Sequence, residues 1–142
     1  MKNLKKIVLV LVVALGLGMF AMSCSNDDNE GETIVPIQGK YNLSKQGIVG
    51  PDGSEQLTDA PANQSGCPGD YLELKLSNSA VVGDYSGASC ALVETTGTYV
   101  RSHNDLTLVI GGVTTTSDIM NLTNKELKLK DKTTGIITVY TR

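Results

Sequence analysis

Hydrophobic and polar residues alternate along three stretches in the second half of the chain. The clearest is residues 71–76, where leucine occupies every second position. Residues 106–110 and 126–130 repeat the pattern with leucine or isoleucine. An alternation with a period of two is typical of strands that are buried on one face. These three stretches therefore predict amphipathic β-strands.

Shorter β-rich segments, separated by turn residues, fill much of the remaining chain. No stretch after residue 24 has the period of a helix. Strands that recur at short intervals with turns between them indicate a sandwich or a barrel. We predict an all-β fold, an antiparallel up-and-down β-barrel of about eight strands, because closure removes the exposed edges of the sheet. Further strands are expected at 39–43, 80–82, 90–94, 97–101, 113–119 and 136–141.

Two connections stand out by their turn-forming composition. Residues 46–69 are dense in glycine and proline, and residues 83–89 are rich in glycine and serine. Glycine and proline at this density predict loops. Long loops in compact domains often have functional roles, so these two are candidate contact surfaces.

The N-terminal segment has a different character. Lys2, Lys5 and Lys6 precede residues 7–20, which are mostly apolar and carry no charge. Fourteen helical residues extend only about 21 Å, whereas a membrane-spanning helix needs about 20 residues. Residues 1–23 therefore read as a signal peptide, and the protein is expected to be exported.

The signal ends at Ala21-Met22-Ser23-Cys24. Small residues before a cysteine resemble the lipobox of bacterial lipoproteins, in which that cysteine is lipidated and becomes the new N-terminus. The resemblance implies a lipid anchor on Cys24 in the outer membrane of a Gram-negative bacterium. The alternative is an ordinary secretory signal cut near Ala21, which would leave Cys24 as a free thiol.

Residues 24–37 are expected to form the lipidated cysteine and a flexible tether. The residues after Cys24 are polar and acidic, so they cannot pack into a core. They would serve either as a simple spacer or as a signal that sorts the protein to the cell surface. The folded domain is then expected to occupy residues 38–142.

Cysteine usage fits an exported protein. Cys67 and Cys90 are an even pair outside the signal region, and compartments outside the cytoplasm permit disulfides. The rival interpretation is a metal site, but two thiols and the single histidine, His103, make a poor ligand set. We predict a Cys67–Cys90 disulfide and no metal.

Charge and composition exclude other functions. Removal of the three signal-peptide lysines would lower the formal net charge from −3 to −6, which argues against nucleic acid as a partner. No nucleophile motif surrounds any serine, and His103 lies in a polar hairpin. We therefore expect no enzymatic activity and no cofactor.

The order of the segments resembles the lipocalin-like domain of small bacterial lipoproteins. The resemblance rests on residues 39–43, 70–74, 97–99 and 104–108, together with the two cysteines. Gly39-Lys40-Tyr41 stands where lipocalins have Gly-x-Trp. The resemblance implies an antiparallel barrel of about eight strands with a mouth at one end, as small barrels have. It carries over no catalytic residues.

Two functions remain open. The barrel would bind a small apolar or amphipathic ligand, or it would be filled by side chains and contact envelope proteins through its loops. A barrel of this size fits either, and a cavity of several hundred Å³ would favour the first. The residues expected inside the barrel, where a ligand would bind, are Leu72, Leu74, Leu106, Leu108, Leu127, Leu129 and Ile137.

Overall fold

The alternating stretches do form strands in the computed structural model, which describes residues 35–142. The predicted signal peptide, Cys24 and most of the tether lie outside the described residues. No helix that could span a membrane occurs in the described part of the chain. The strands are β1 (Gly39–Val49), β2 (Glu55–Asp59), β3 (Tyr71–Leu74), β4 (Ser79–Ser86), β5 (Ala91–Ser102), β6 (Asp105–Ile110), β7 (Val113–Leu122), β8 (Glu126–Asp131) and β9 (Ile137–Thr141).

Eight of these strands form a closed antiparallel barrel. The strands β3 to β9 pair in sequence order, β3 pairs with the first half of β1, and β9 pairs with the middle of β1. The remaining strand, β2, continues the hairpin of β1 beyond the barrel wall. The predicted all-β, up-and-down barrel of about eight strands is therefore confirmed.

Strand β1 is long because its two halves pair with different strands. Its register with β9 shifts between Leu43 and Lys45, and its second half also pairs with β2. A bulge of this kind bends the strand. Lys128 of β8 bonds Glu55 of β2 (2.8 Å) although β1 and β9 lie between these strands in the sheet. The β1–β2 hairpin must therefore fold over the outer face of β9 and β8.

Several local predictions differ from the structure. The expected loop at 46–69 begins later, because residues 46–49 belong to β1 and Glu55–Asp59 is a strand. The expected loop at 83–89 is mostly strand, since β4 extends to Ser86. Leu76, expected on a buried face, is 85% exposed because β3 ends at Leu74. In each case the strand ends where its backbone hydrogen bonds to the adjacent strand end, and not where hydrophobic alternation ends.

The core occupies the end of the barrel where β1 begins. Tyr41, Leu74, Tyr99 and Leu106 are buried there with the aliphatic side chains of the facing strands. Burying each large side chain contributes about 1.5–3 kcal/mol. Ile37 is also buried in this cluster, although we expected it to belong to the tether. Ile37 therefore packs with the folded unit, which extends over Val35–Arg142.

The two ends of the barrel have different contents. The end that holds Val35, Arg142 and the turns after β3, β5 and β7 is the closed end. The other end carries the connection from β2 to β3 and the turns after β4, β6 and β8. Cys67 and Cys90 form the predicted disulfide, which ties that connection to the β4–β5 turn at this second end.

Candidate functional site

A cavity of about 470 Å³ opens at the second end of the barrel, the open end. Ile110 and Val113 stand at its rim, where Gly111 and Gly112 adopt φ angles of 57° and 81°. Such angles suit a tight hairpin turn and are accessible to glycine at little cost. The cavity is lined by Val82, Leu108, Ile110, Val113, Thr115, Ser117, Leu129, Asp131, Thr134, Ile136, Thr138 and Tyr140.

The β8–β9 turn forms the neighbouring part of the rim. Asp131 Oδ1 accepts hydrogen bonds from the backbone N–H groups of Thr133 (2.7 Å) and Thr134 (2.6 Å). Both bonds lower the pKa of Asp131, and the bond from Thr134 has the larger effect. Gly135 follows with a φ of 72° and donates its N–H to the Asp131 carbonyl. Aspartate commonly organises a turn in this way.

The depth of the cavity follows from the register of β8 and β9. Ile136 lies beside Asp131 at the rim, Thr138 pairs with Leu129, and Tyr140 pairs with Leu127. Four residues of strand extend about 13 Å, so Tyr140 lies near the floor. Burial raises the pKa of Tyr140 to about 12. Among the described residues, none accepts or donates a hydrogen bond at the Tyr140 hydroxyl.

The lining divides by chemistry. Val82, Leu108, Ile110 and Leu129 supply an apolar wall that continues outward to exposed aliphatic residues at the rim. Within the described lining, Asp131 is the one charged residue. The remaining polar side chains of the lining carry hydroxyl groups, and they are Thr115, Ser117, Thr134, Thr138 and Tyr140.

The seven residues expected inside the barrel fall into three groups. Leu108 and Leu129 line the cavity. Ile137 lies on the opposite face of the sheet, because it is in register with Lys130 while its neighbour Thr138 pairs with Leu129. It is nevertheless fully buried, on the same face of the sheet as Lys128, which bonds Glu55 of β2. The other four, Leu72, Leu74, Leu106 and Leu127, pack in the filled part of the core.

Sequence reasoning missed most of the cavity lining. Thr115, Ser117 and Thr138 are hydroxyl-bearing residues in Thr-rich strands, where no hydrophobic alternation marks the inner face. Ile136, Thr138 and Tyr140 occupy alternate positions along β9 and the residue before it, and therefore share one face. The pairing of β9 with β8 is needed to show that this face points into the barrel. Asp131 is the last residue of β8, and its position beside a cavity depends on the closed barrel.

A second, smaller cavity of about 300 Å³ lies under the connection from β2 to β3. Asn63 spans it, donating to the Pro68 carbonyl (2.8 Å) and to Asp70 Oδ1 (2.8 Å). Asp70 Oδ1 also accepts from the backbone N–H of Tyr85 (2.9 Å). These bonds attach the connection to the barrel, so this cavity has a structural explanation. No cluster of three or more potential metal-ligating residues occurs in the part of the chain that the structure describes.

Comparison with known proteins places the barrel in a family. The sequence model of the lipocalin-like domain matches residues 37–129, more than half of the chain. No curated protein matches the sequence. Two solved structures are similar in fold. A lipocalin-like protein from Bacteroides uniformis ATCC 8492 has a TM-score of 0.54 and 12% identity, covering 74% of this chain and 96% of its own.

The other structure is an uncharacterized protein from Bacteroides eggerthii DSM 20697. It aligns with a TM-score of 0.53 and 14% identity, covering 74% of this chain and 98% of its own. At these identities the two structures bear on the fold alone. Together with the residues matched by the family model and the closed eight-stranded barrel, they support one conclusion: this chain belongs to the lipocalin-like domain family.

Proposed function

We propose that the protein binds one small apolar or amphipathic molecule in the cavity at the open end of the barrel. The observation that carries this proposal is the cavity itself, about 470 Å³ with an aliphatic wall. Small-molecule sites range over about 300–1,000 Å³ and are mostly apolar. A water molecule occupies about 30 Å³ of liquid, so the cavity has room for a ligand of roughly fifteen heavy atoms.

The rim favours entry of an apolar ligand from solvent. Val113 is 66% exposed and Ile136 is 42% exposed, and both also line the cavity. Exposed aliphatic residues at the edge of a concave site are typical of ligand-binding grooves. A ligand that covered these side chains would gain hydrophobic free energy at about 25 cal/mol per Å² of apolar surface.

We further propose that the protein is a lipoprotein without enzymatic activity, attached to the outer membrane through Cys24. Residues 2–24 support export and lipidation, and the acidic residues that follow support a tether. The chain enters the described barrel at its closed end, so the entrance of the cavity lies at the end farther from Val35. An anchor on the N-terminal side is therefore compatible with an accessible cavity.

Native mass spectrometry tests the binding proposal. Residues 25–142 contain the whole closed barrel, and they would be secreted to the periplasm behind a separate signal and purified without detergent. We expect an additional mass that disappears on denaturation. Leu108→Trp, which fills the cavity, should abolish it. Val109→Trp, one position along the same strand on the outer face, should retain it.

The alternative function is that of an interaction protein with a filled barrel, and it makes a different prediction. A bare mass for the wild-type barrel, together with no uptake of added octyl compounds in calorimetry, would contradict ligand binding. The search would then turn to envelope proteins that contact the connection between β2 and β3. Retention of the additional mass by Leu108→Trp would also count against this cavity as the binding site.

A further inference from the structure

We propose that the cavity selects amphipathic ligands whose polar group is uncharged or cationic, and that Asp131 rejects ligands bearing a carboxylate. This inference rests on the proposed function of the same cavity and adds the chemical class of the ligand. Three features carry it: the position of Asp131 in the lining, the pairing of Lys132 with two other aspartates, and the hydroxyl of Tyr140, which has no hydrogen-bond partner among the described residues.

Asp131 presents a negative charge at the entrance of the cavity. Its Oδ1 atom is held by the backbone N–H groups of Thr133 and Thr134, which fix the carboxylate on the wall of the cavity. The same bonds lower its pKa, so the group is ionised at neutral pH. Backbone N–H groups orient this carboxylate, but they do not cancel its charge.

The two basic residues that flank Asp131 in the sequence, Lys130 and Lys132, lie outside the cavity lining. Lys130 is in register with Ile137 on the outer face of the sheet. Lys132 Nζ lies 2.7 Å from Asp105 Oδ1 and 3.3 Å from Asp118 Oδ1, and none of these three residues lines the cavity. Among the described lining residues there is no lysine, arginine or histidine. A bound carboxylate would therefore meet Asp131 without a neutralising cation.

The size of this effect is sufficient for selection. Two like charges about 5 Å apart, at the effective dielectric constant of about 20 that suits protein sites, repel enough to weaken binding on the order of 100-fold. A protonated amine at the same position would be attracted by a similar factor. A hydroxyl group would donate a hydrogen bond to the carboxylate and experience no repulsion.

The floor of the cavity also disfavours an anion. The Tyr140 hydroxyl is protonated, because burial raises its pKa to about 12. It has no hydrogen-bond partner among the described residues, so it is free to donate to or accept from a neutral polar group of a ligand. A carboxylate placed there would lose its hydration and gain only one hydrogen-bond donor. One such bond does not offset the free-energy cost of burying a charged group.

Isothermal titration calorimetry with three matched probes tests the inference. Octylamine, 1-octanol and octanoate share one chain length and differ in the polar group. At pH 7 and low ionic strength we expect octanoate to bind the wild-type barrel about 100-fold more weakly than 1-octanol, and octylamine to bind more tightly than 1-octanol. Asp131→Asn should bring the affinities of the amine and octanoate within about tenfold of each other.

Two features of the variants make the comparison specific. Asparagine keeps the Oδ1 acceptor that Thr133 and Thr134 need, so Asp131→Asn should retain the turn. Asp52→Asn is the matched control, because Asp52 Oδ1 likewise accepts from the backbone N–H of Ser54 (3.0 Å) but lies outside the cavity. It changes the net charge equally and should preserve the wild-type selectivity.

The outcomes separate this inference from the proposed function. Equal binding of octylamine and octanoate by the wild-type barrel would overturn the selectivity and leave ligand binding in place. Wild-type selectivity in Asp131→Asn would overturn the role of Asp131. Failure of all three probes to bind would contradict both proposals.

Discussion

The last residue of the chain, Arg142, stacks on Tyr41 in the first strand. The guanidinium carbon lies 4.3 Å from the centre of the Tyr41 ring, and Nη2 donates a hydrogen bond to the Tyr41 hydroxyl. The same nitrogen donates to the carbonyl of Gln38 (2.7 Å). Tyr41 is fully buried and donates its own hydroxyl proton to the Ile37 carbonyl (2.8 Å). Together these contacts close the end of the barrel opposite the cavity.

Replacing Arg142 should therefore destabilise the closed end. Hydrogen bonds to charged groups contribute about 1.5–3 kcal/mol each, and we expect Arg142→Ala to lower the free energy of unfolding by about 2 kcal/mol. Urea denaturation followed by circular dichroism measures this change. Arg101→Ala is the control, because Arg101 is exposed and its one side-chain hydrogen bond among residues 35–142 is to the nearby His103 carbonyl (3.2 Å). An equal loss in both variants would contradict the role assigned to Arg142.

Gly83 should not tolerate a side chain. A Cβ atom at this position would lie 2.1 Å from the ring of Tyr71, so Gly83→Ala must displace the ring. Forced repacking of this kind costs about 1–3 kcal/mol. Gly69→Ala is the matched control, because a Cβ atom there would lie 3.9 Å from its nearest neighbour, the Leu43 carbonyl oxygen. Thermal denaturation should show a lower Tm for Gly83→Ala and little change for Gly69→Ala; similar Tm values would refute the steric argument.

Tyr71 should make part of the stability depend on alkaline pH. Its hydroxyl donates a hydrogen bond to Glu94. This bond is the largest cause, and burial the next, of a pKa of Tyr71 that is raised to about 12. The folded-state pKa exceeds the unfolded value of about 10, so the contribution is complete below about pH 10 and is lost as the pH rises towards the folded-state pKa. Urea titrations across this range should show a smaller alkaline loss for Tyr71→Phe than for wild type. Tyr85→Phe is the control, and an unchanged slope in Tyr71→Phe would contradict the assignment.

The disulfide should stabilise the barrel. Cys67 and Cys90 are 23 residues apart, and closing a loop of this length contributes about 3 kcal/mol in the chain-entropy model. The double substitution of Cys67→Ser with Cys90→Ser should lower the free energy of unfolding by about this amount. A reductant should have the same effect on wild type and none on the variant. No difference between oxidised wild type and the double variant would contradict this expectation.

Lipidation of Cys24 remains a prediction and has a direct test. Cys24→Ser removes the sulfur that would carry the lipid, so the variant should carry no lipid. Metabolic labelling with a palmitate analogue should mark wild type and not the variant. Ser25→Ala is the control and should behave as wild type. Incorporation of the palmitate analogue into Cys24→Ser at the wild-type level would contradict a lipid anchor on this residue.

Features that depend on neighbouring residues could be predicted from the sequence. The strands at 71–74, 106–110 and 126–130 follow from leucine at every second position, and the β6–β7 turn follows from Gly111-Gly112. The paired cysteines were identified from their number and their exported context. Period, turn chemistry and composition act over a few residues, so the sequence alone contains them.

Features that depend on pairing between distant strands could not be predicted from the sequence. Residues 55–59 lack hydrophobic alternation, and they form β2 because the second half of β1 offers backbone hydrogen bonds. Ile137 reads as an interior residue, but the register of β8 and β9 turns it to the opposite face. Since a shift of one residue exchanges the two faces of a strand, register decides which side chains line a barrel.

The cavity is the clearest case of this division. The sequence by itself determined an all-β chain with amphipathic strands, tight turns and a cysteine pair, because those depend on local patterns. Only the tertiary structure decided that large side chains fill one end of the barrel while Asp131 and Tyr140 line a cavity at the other. Those two residues are nine positions apart and meet the same cavity because β8 and β9 pair in the wall of a closed barrel.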